Sequence, residues 1–222
     1  SGKYILTSDI DLSGYSEGKG WVPIGNYSSK FTGSFDGNGY SITGLTIDSP
    51  KIDYIGLFGY TEGATIENVS LEDVNIKGQH DTGGLVGSAG RSTITNSCAT
   101  GSVSGRGNVG GFVGYARDSS TISNSYATGS VSGRSDTGGL VGRADNSTIT
   151  NSYATGSVTG TRDNVGGLVG LAYSSSTTIS NSYATGKVTG GNWTGGLVGG
   201  AEKSSITNSY ATGSVTGKGE RT

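Results

Sequence analysis

The sequence predicts an all-β chain wound as a right-handed parallel β-helix, a β-solenoid of ~28-residue rungs with an N-terminal capping segment. Three observations predict it. The segment TITNSYATGSVTG at residues 148–160 recurs with small changes from Thr93, Thr121, Thr178 and Ser205. The asparagines of its NS step, Asn96, Asn124, Asn151, Asn181 and Asn208, follow one another at 28, 27, 30 and 27 residues, the mark of a repeat array. Finally, each unit carries Thr, Val, Ile and Tyr in short runs split by Gly and Asn, which is strand-and-turn chemistry, not helix chemistry. Each run buries itself by stacking on its equivalent in the next unit. At ~4.8 Å per rung, seven or so rungs make a rod about 35 Å long. The period itself sets neither hand nor cross-section.

In chain order, residues 1–50 differ from the rest of the chain. YILTSDIDLSG, WVPIG and FTGSFDGNGYSITGLTI are not copies of the later unit, and they read as an N-terminal cap plus the first strands of the solenoid. Trp21 and Phe35 are placed over the first rung, whose open edge would otherwise invite uncontrolled pairing. FDGNG at 35–39 reads as a tight turn requiring positive φ. Residues 51–222 form the repeats of one continuous domain, with Asn68 and IGLFG at 55–59 extending the frame one unit earlier. The N-terminus shows no signal peptide, and both ends look cut from something longer.

Alternation along a strand assigns the faces. Ile94, Ile122, Ile149, Ile179 and Ile206 point inward, as do Val103, Val131, Val158, Val188 and Val215. The five asparagines fall on the same side as the isoleucines and are expected to form a structural ladder at an interior corner, amide on amide. Outward stand Thr93 and Thr95, Thr121 and Ser123, Thr148 and Thr150, Thr178 and Ser180, Ser205 and Thr207. These ten are the candidate ligand-binding face, against the plain alternative that threonine simply suits an exposed strand. A second hydroxyl set, interrupted by Lys187, accompanies the valines.

Two columns stay open. In GGLVG both Leu and Val remain apolar, so either the glycine pair distorts the strand or the column Leu85, Phe112, Leu140, Leu168, Leu197 is an exposed association stripe. Tyr126, Tyr153, Tyr183 and Tyr210 alternate with the asparagines, which favours an interior aromatic stack; outward, they would make a ladder for sugar rings. Cys98 takes the tyrosine's place in its own unit and, being the sole cysteine, reads as a small buried side chain.

GGLVG followed by ITNSYATGSVTG resembles the GLUG-motif repeats of bacterial cell-surface proteins, including adhesins and the non-catalytic arms of immunoglobulin-cleaving peptidases. The lead-in DIDLSG…WVPIG…FTGSFDGNGYSITGLTI…GLFG is similar to the segment that often opens such arrays. The resemblance covers nearly the whole chain. It implies an adhesin-type β-solenoid in an extracellular, cell-surface setting, serving as rigid stalk and adhesive surface.

The remaining chemistry is sparse. The zinc-peptidase pattern H-E-x-x-H is absent, with His80 the only histidine. A lyase-like site needs clustered acids and bases, whereas Arg117, Asp118, Arg134, Asp136, Arg143, Asp145, Arg162 and Asp163 fall at variable corners and read as solvated ion pairs. No cofactor is expected. Calcium is a weak candidate at Asp9 and Asp11, whose D-x-D step lacks the rest of a calcium loop. A net charge of −2 argues against nucleic acid, and no apolar run is long enough for membrane insertion as a helix. The expected partners are an extracellular polysaccharide or a host surface, with end-to-end self-association through the last rung around Val215. The function expected is thus a non-catalytic repeat region, with a carbohydrate- or ice-binding module as the alternative.

Overall fold

The computed structural model describes residues 2–218, which form short strands and a single 3-10 turn at Ser13–Tyr15. Every strand pairing between named strands is parallel, and each strand pairs with its equivalent one turn away. The hydroxyl sheet counts the turns. Its strands Lys3–Ile5, Ser34–Asp36, Thr65–Glu67, Thr93–Thr95, Thr121–Ser123, Thr148–Thr150, Thr178–Ser180 and Ser205–Thr207 stack in chain order, giving eight rungs. The protein is a parallel β-solenoid.

One turn shows the plan. Gly107–Gly110 belongs to a short sheet, Val113–Arg117 to an alanine sheet, and Thr121–Ser123 to the hydroxyl sheet. Tyr126–Ala127 and Ser130–Gly133 then form a tyrosine–valine sheet, before Ser135–Gly138 re-enters the short sheet one rung on. Interior columns are Ile94, Ile122, Ile149 and Ile179, fully buried, and Val103, Val131, Val158 and Val188, nearly so. In the last described rung the same columns surface, at Ile206 and Val215.

GGLVG resolves as buried on both counts. Leu140 sits just ahead of the alanine-sheet strand, Val141 opens it, and both are fully buried in one core. Gly142 turns outward, where the short-sheet backbone at Asn108–Val109 lies directly on it, so any side chain there would collide with main chain. A Cβ on Gly139 would run into the Gly167 carbonyl oxygen. Gly142 lets two sheets approach backbone to backbone, and Gly139 lets neighbouring rungs do so.

The asparagine and tyrosine columns depart from expectation. Asn96, Asn124, Asn151, Asn181 and Asn208 occupy an exposed corner, not an interior one, although the expected amide-on-amide bonding is present where the Asn151 amide donates to Asn124 (3.2 Å). Each adopts left-handed backbone, φ 48 to 50°, which asparagine tolerates better than most residues. That residue breaks the strand's alternation, so the next residue, a serine, points inward and the tyrosine after it points out. Ser97, Ser125, Ser152 and Ser182 are buried at 1–2% exposure. The Ser125 hydroxyl donates to the Ser123 carbonyl (2.8 Å) and accepts the Ser97 N–H (3.3 Å); Ser152 repeats this with Thr150 (2.8 Å) and Ser125 (3.2 Å). The interior polar ladder is therefore serine. It satisfies corner N–H groups that no strand pairing reaches.

The lead-in joins the solenoid directly. Lys3–Ile5 and Ser34–Asp36 are its first two hydroxyl-sheet strands, and FDGNG turns with positive φ at Asn38 and Gly39. Ile24 and Phe31 pair with the edge of Phe58–Glu62, covering that edge of the alanine sheet. Phe35 packs edge-on to Phe58 at 5.4 Å and Trp21 lies half-buried on the core, while Tyr4 and Ile5 stay exposed.

Removing a ladder serine leaves a buried corner N–H without its acceptor. Ser152→Ala should lower unfolding free energy by about 1–3 kcal/mol in urea titrations. Thr150→Ala, two residues away on the surface, should change it by less than about 0.5 kcal/mol.

Candidate functional site

The ten predicted hydroxyl residues do form one surface. Thr93, Thr121, Thr148, Thr178 and Ser205 make one column, and Thr95, Ser123, Thr150, Ser180 and Thr207 the other, in unbroken parallel register. They flank the buried isoleucines and are exposed or half-exposed. Rungs repeat at ~4.8 Å and the columns stand ~6.6 Å apart, so five rungs give an uncharged lattice about 19 Å long. Neighbouring hydroxyls fix one another. Ser123 Oγ lies 3.2 Å from Thr95 Oγ1, Ser180 Oγ 3.1 Å from Thr150 Oγ1, and Thr178 Oγ1 3.3 Å from Thr148 Oγ1. Towards the N-terminus the same columns become Thr65 and Glu67, then Ser34 and Asp36, so acid borders the neutral lattice.

On the tyrosine–valine sheet the predicted interior stack stands outside. Tyr126, Tyr153 and Tyr183 are half-buried, with ring centroids 4.8 and 4.9 Å apart and planes within 4° of parallel. Each ring's faces are covered by its neighbours, so only edges are offered within the stack, and only the terminal Tyr210, 56% exposed, has an accessible face. Beneath Tyr126, Cys98 occupies the same column and is buried, as expected. Cys98 beside it pushes the Tyr126 phenol up to about 12, first by hydrogen bond and then by the charge of its thiolate form.

Asp9 and Asp11 are engaged separately. Asp9 accepts from the Ser41 N–H (2.8 Å) and Asp11 from the Ser13 N–H (2.8 Å), and the Ser13 hydroxyl first and its N–H second hold the Asp11 carboxyl below its usual range. Among the described residues no group of three His, Cys, Asp or Glu is placed to hold a metal ion. Of the corner charges, Arg143 and Asp145 face each other at 3.8 Å and Arg117 pairs with Asp118. Arg117, Arg143 and Asp145 lie in strands of the alanine sheet, not in loops as expected, and Arg143 is held between the rings of Tyr115 and Tyr173.

A further polar column went unrecognised in the sequence. Asp81, Asn108, Asp136 and Asn164 stack at the entry of the short sheet, all with φ of 50 to 57°. The Asn108 amide donates to Asp81 (2.7 Å) and the Asn164 amide to Asp136 (2.7 Å). Asp and Asn in alternation, one unit apart, are the signal that would have revealed it. Burial pushes the Asp81 carboxyl up to about 6 despite the Asn108 hydrogen bond, and it raises Asp136 as well.

Parallel rungs that repeat the same ladders define the class, a repeat scaffold with outward columns free to vary. Residues 105–132, 133–159, 162–189 and 190–216 each match the GLUG motif, and the chain belongs to the GLUG-motif repeat family. It is 40% identical over 120 residues to Halomucin of Haloquadratum walsbyi, covering 50% of this chain and 1% of that protein. It is 36% identical over 122 residues to the Immunoglobulin A1 protease of Streptococcus sanguinis, covering 54% and 6%. The chain thus spans a small part of these relatives. A solved structure described as IgA1 Protease superposes with a TM-score of 0.64 over 95% of this chain and 19% of that one, at 24% identity, a likeness of fold.

Because Asp81 binds its proton more tightly folded than unfolded, its contribution to stability is greatest below pH 3.8 and is lost as pH rises through about 6. At neutral pH the buried charge costs folding on the order of 3 kcal/mol. Asp81→Asn keeps a side chain suited to positive φ, and should flatten the fall in melting temperature between pH 4 and 7 and raise its value at pH 7.

Proposed function

We propose that this chain is a non-catalytic repeat region of an extracellular, cell-surface protein, acting as a rigid spacer that also presents an adhesive face. The observation that carries this reading is the neutral hydroxyl lattice, ten side chains in register over five rungs, six of them tied in pairs by hydroxyl–hydroxyl bonds. Such a face meets a repeating, hydroxylated ligand with many weak contacts summed along its length. A polysaccharide at a cell surface is the partner this chemistry fits. Ice fits less well, because serine replaces threonine at 123, 180 and 205 and removes the methyl groups that would make the lattice uniform.

The surroundings support a surface setting. The matched relatives include a protein named a mucin, and the motif matched is one of repeats. Peptidase activity, named for another relative, is not part of the proposal, since the matched stretch is 6% of that protein.

Retention of the chain on insoluble polysaccharide or cell wall, measured by pull-down, should drop at least tenfold in Thr150→Lys, which sets a bulky charge in the middle of the lattice. Retention unchanged by that substitution removes the adhesive face and leaves the spacer.

A further inference from the structure

The outer face of the alanine sheet is where the chain stops repeating itself. Its first outer column reads Tyr60, Ser88, Tyr115, Arg143, Leu171 and Gly200 through six paired rungs. The rung Val86–Gly90 therefore places only a hydroxymethyl group here, between two rungs that carry tyrosine. With the lead-in loop above it, this dip becomes a cavity of about 470 Å³, within the usual range for small-ligand sites.

Its lining is unlike the rest of the surface. Tyr54, Tyr60 and Tyr115 form walls, and Tyr27 closes over Tyr54 and Tyr60 with centroids 6.0 and 5.9 Å away. On the floor are Asp81, 8% exposed, and Ser88, 1% exposed. Ser88 Oγ is close enough to favour the charged carboxylate slightly, yet forms no hydrogen bond to the protein. A buried hydroxyl left without a partner is costly, and this one belongs to a residue of the cavity lining. Tyr54, part of that lining, holds positive φ, 61°, a conformation tyrosine seldom adopts.

The charges choose the ligand. Lys30, Arg91 and Arg117 are matched by Glu62, Asp81 and Asp118, three of each sign. Glu62 takes Arg91 at 2.7 Å and Lys30 at 3.6 Å, and Arg117 pairs with Asp118. A free cation would have to displace Lys30 and Arg117, which already sit 5.0 and 5.1 Å over the Tyr60 ring. A compact anion would meet three carboxylates. An uncharged polyol avoids both charge conflicts: its C–H groups pack against the tyrosine walls, and its hydroxyls reach Asp81 and the cationic rim.

We propose that this cavity, between the lead-in loop and the alanine sheet, is a binding site for one neutral pyranose unit of a saccharide. It is a single site on a repeated scaffold, and it is independent of the hydroxyl face.

The repeat supplies its own control. Leu171 occupies the Ser88 column three rungs on, so Ser88→Leu fills the floor with a side chain this sheet position already accepts. Tyr54→Asn removes a wall while suiting positive φ. The chain is titrated by ligand-observed NMR with neutral methyl pyranosides and screened on an array of neutral glycans. A glycan should bind, should weaken at least roughly tenfold in both variants at unchanged melting temperature, and should bind Thr150→Lys as it binds the parent. Should Ser88→Leu fail to fold, Tyr54→Asn decides alone. Binding that survives the cavity variants, binding lost only in Thr150→Lys, no neutral glycan bound at millimolar concentration, or tetramethylammonium or sulfate bound in their place would each overturn the proposal.

Discussion

The structure depends on one constraint, that every rung must find its backbone hydrogen bonds in the rungs above and below. In a parallel stack this forces equivalent residues into columns ~4.8 Å apart, so a residue tolerated once must be tolerated beside itself. Isoleucine, valine and alanine satisfy that inside. The corners are harder, because left-handed residues interrupt pairing and leave N–H groups pointing at the core. Serine resolves this by donating to its own strand and accepting from the neighbouring rung, from Ser97 through Ser182. A second serine set, at Ser92, Ser120 and Ser147, does similar work between the alanine and hydroxyl sheets.

Once core and corners carry the fold, the outer columns are released from it. The hydroxyl sheet uses that freedom for uniformity, presenting the same small polar groups on five rungs. The alanine sheet uses it for variety, with tyrosine, serine, arginine, leucine and glycine in one column. A uniform face suits a long repeating partner met by many weak contacts. A varied one can build a local site, since a small residue between two large ones makes a depression without disturbing the core.

Much of the fold was legible in the residues because periodicity is a property of the chain itself. The inward isoleucines and valines and the outward Thr–Ser pairs follow from alternation within short strands, and the positive-φ turn at Asn38–Gly39 from local composition. Alternation failed where strands end. A single left-handed asparagine reverses the facing of the residues after it, so Asn151 and Tyr153 lie outside and Ser152 inside. GGLVG could not be settled from sequence either, because the burial of both Leu140 and Val141 depends on the short sheet pressing against Gly142.

The sequence by itself determined the class of fold, the rung length and the membership of the two hydroxyl columns, all consequences of a repeat in which each unit can bury itself only against a copy. Tertiary structure alone decided which polar column lies inside, that the tyrosines cover one another's faces, and that a cavity exists. That cavity draws Tyr27, Tyr54, Asp81, Ser88 and Tyr115 from successive turns and the lead-in. No local pattern can announce it, because side chains so far apart in sequence meet only when the winding of the chain sets their rungs side by side.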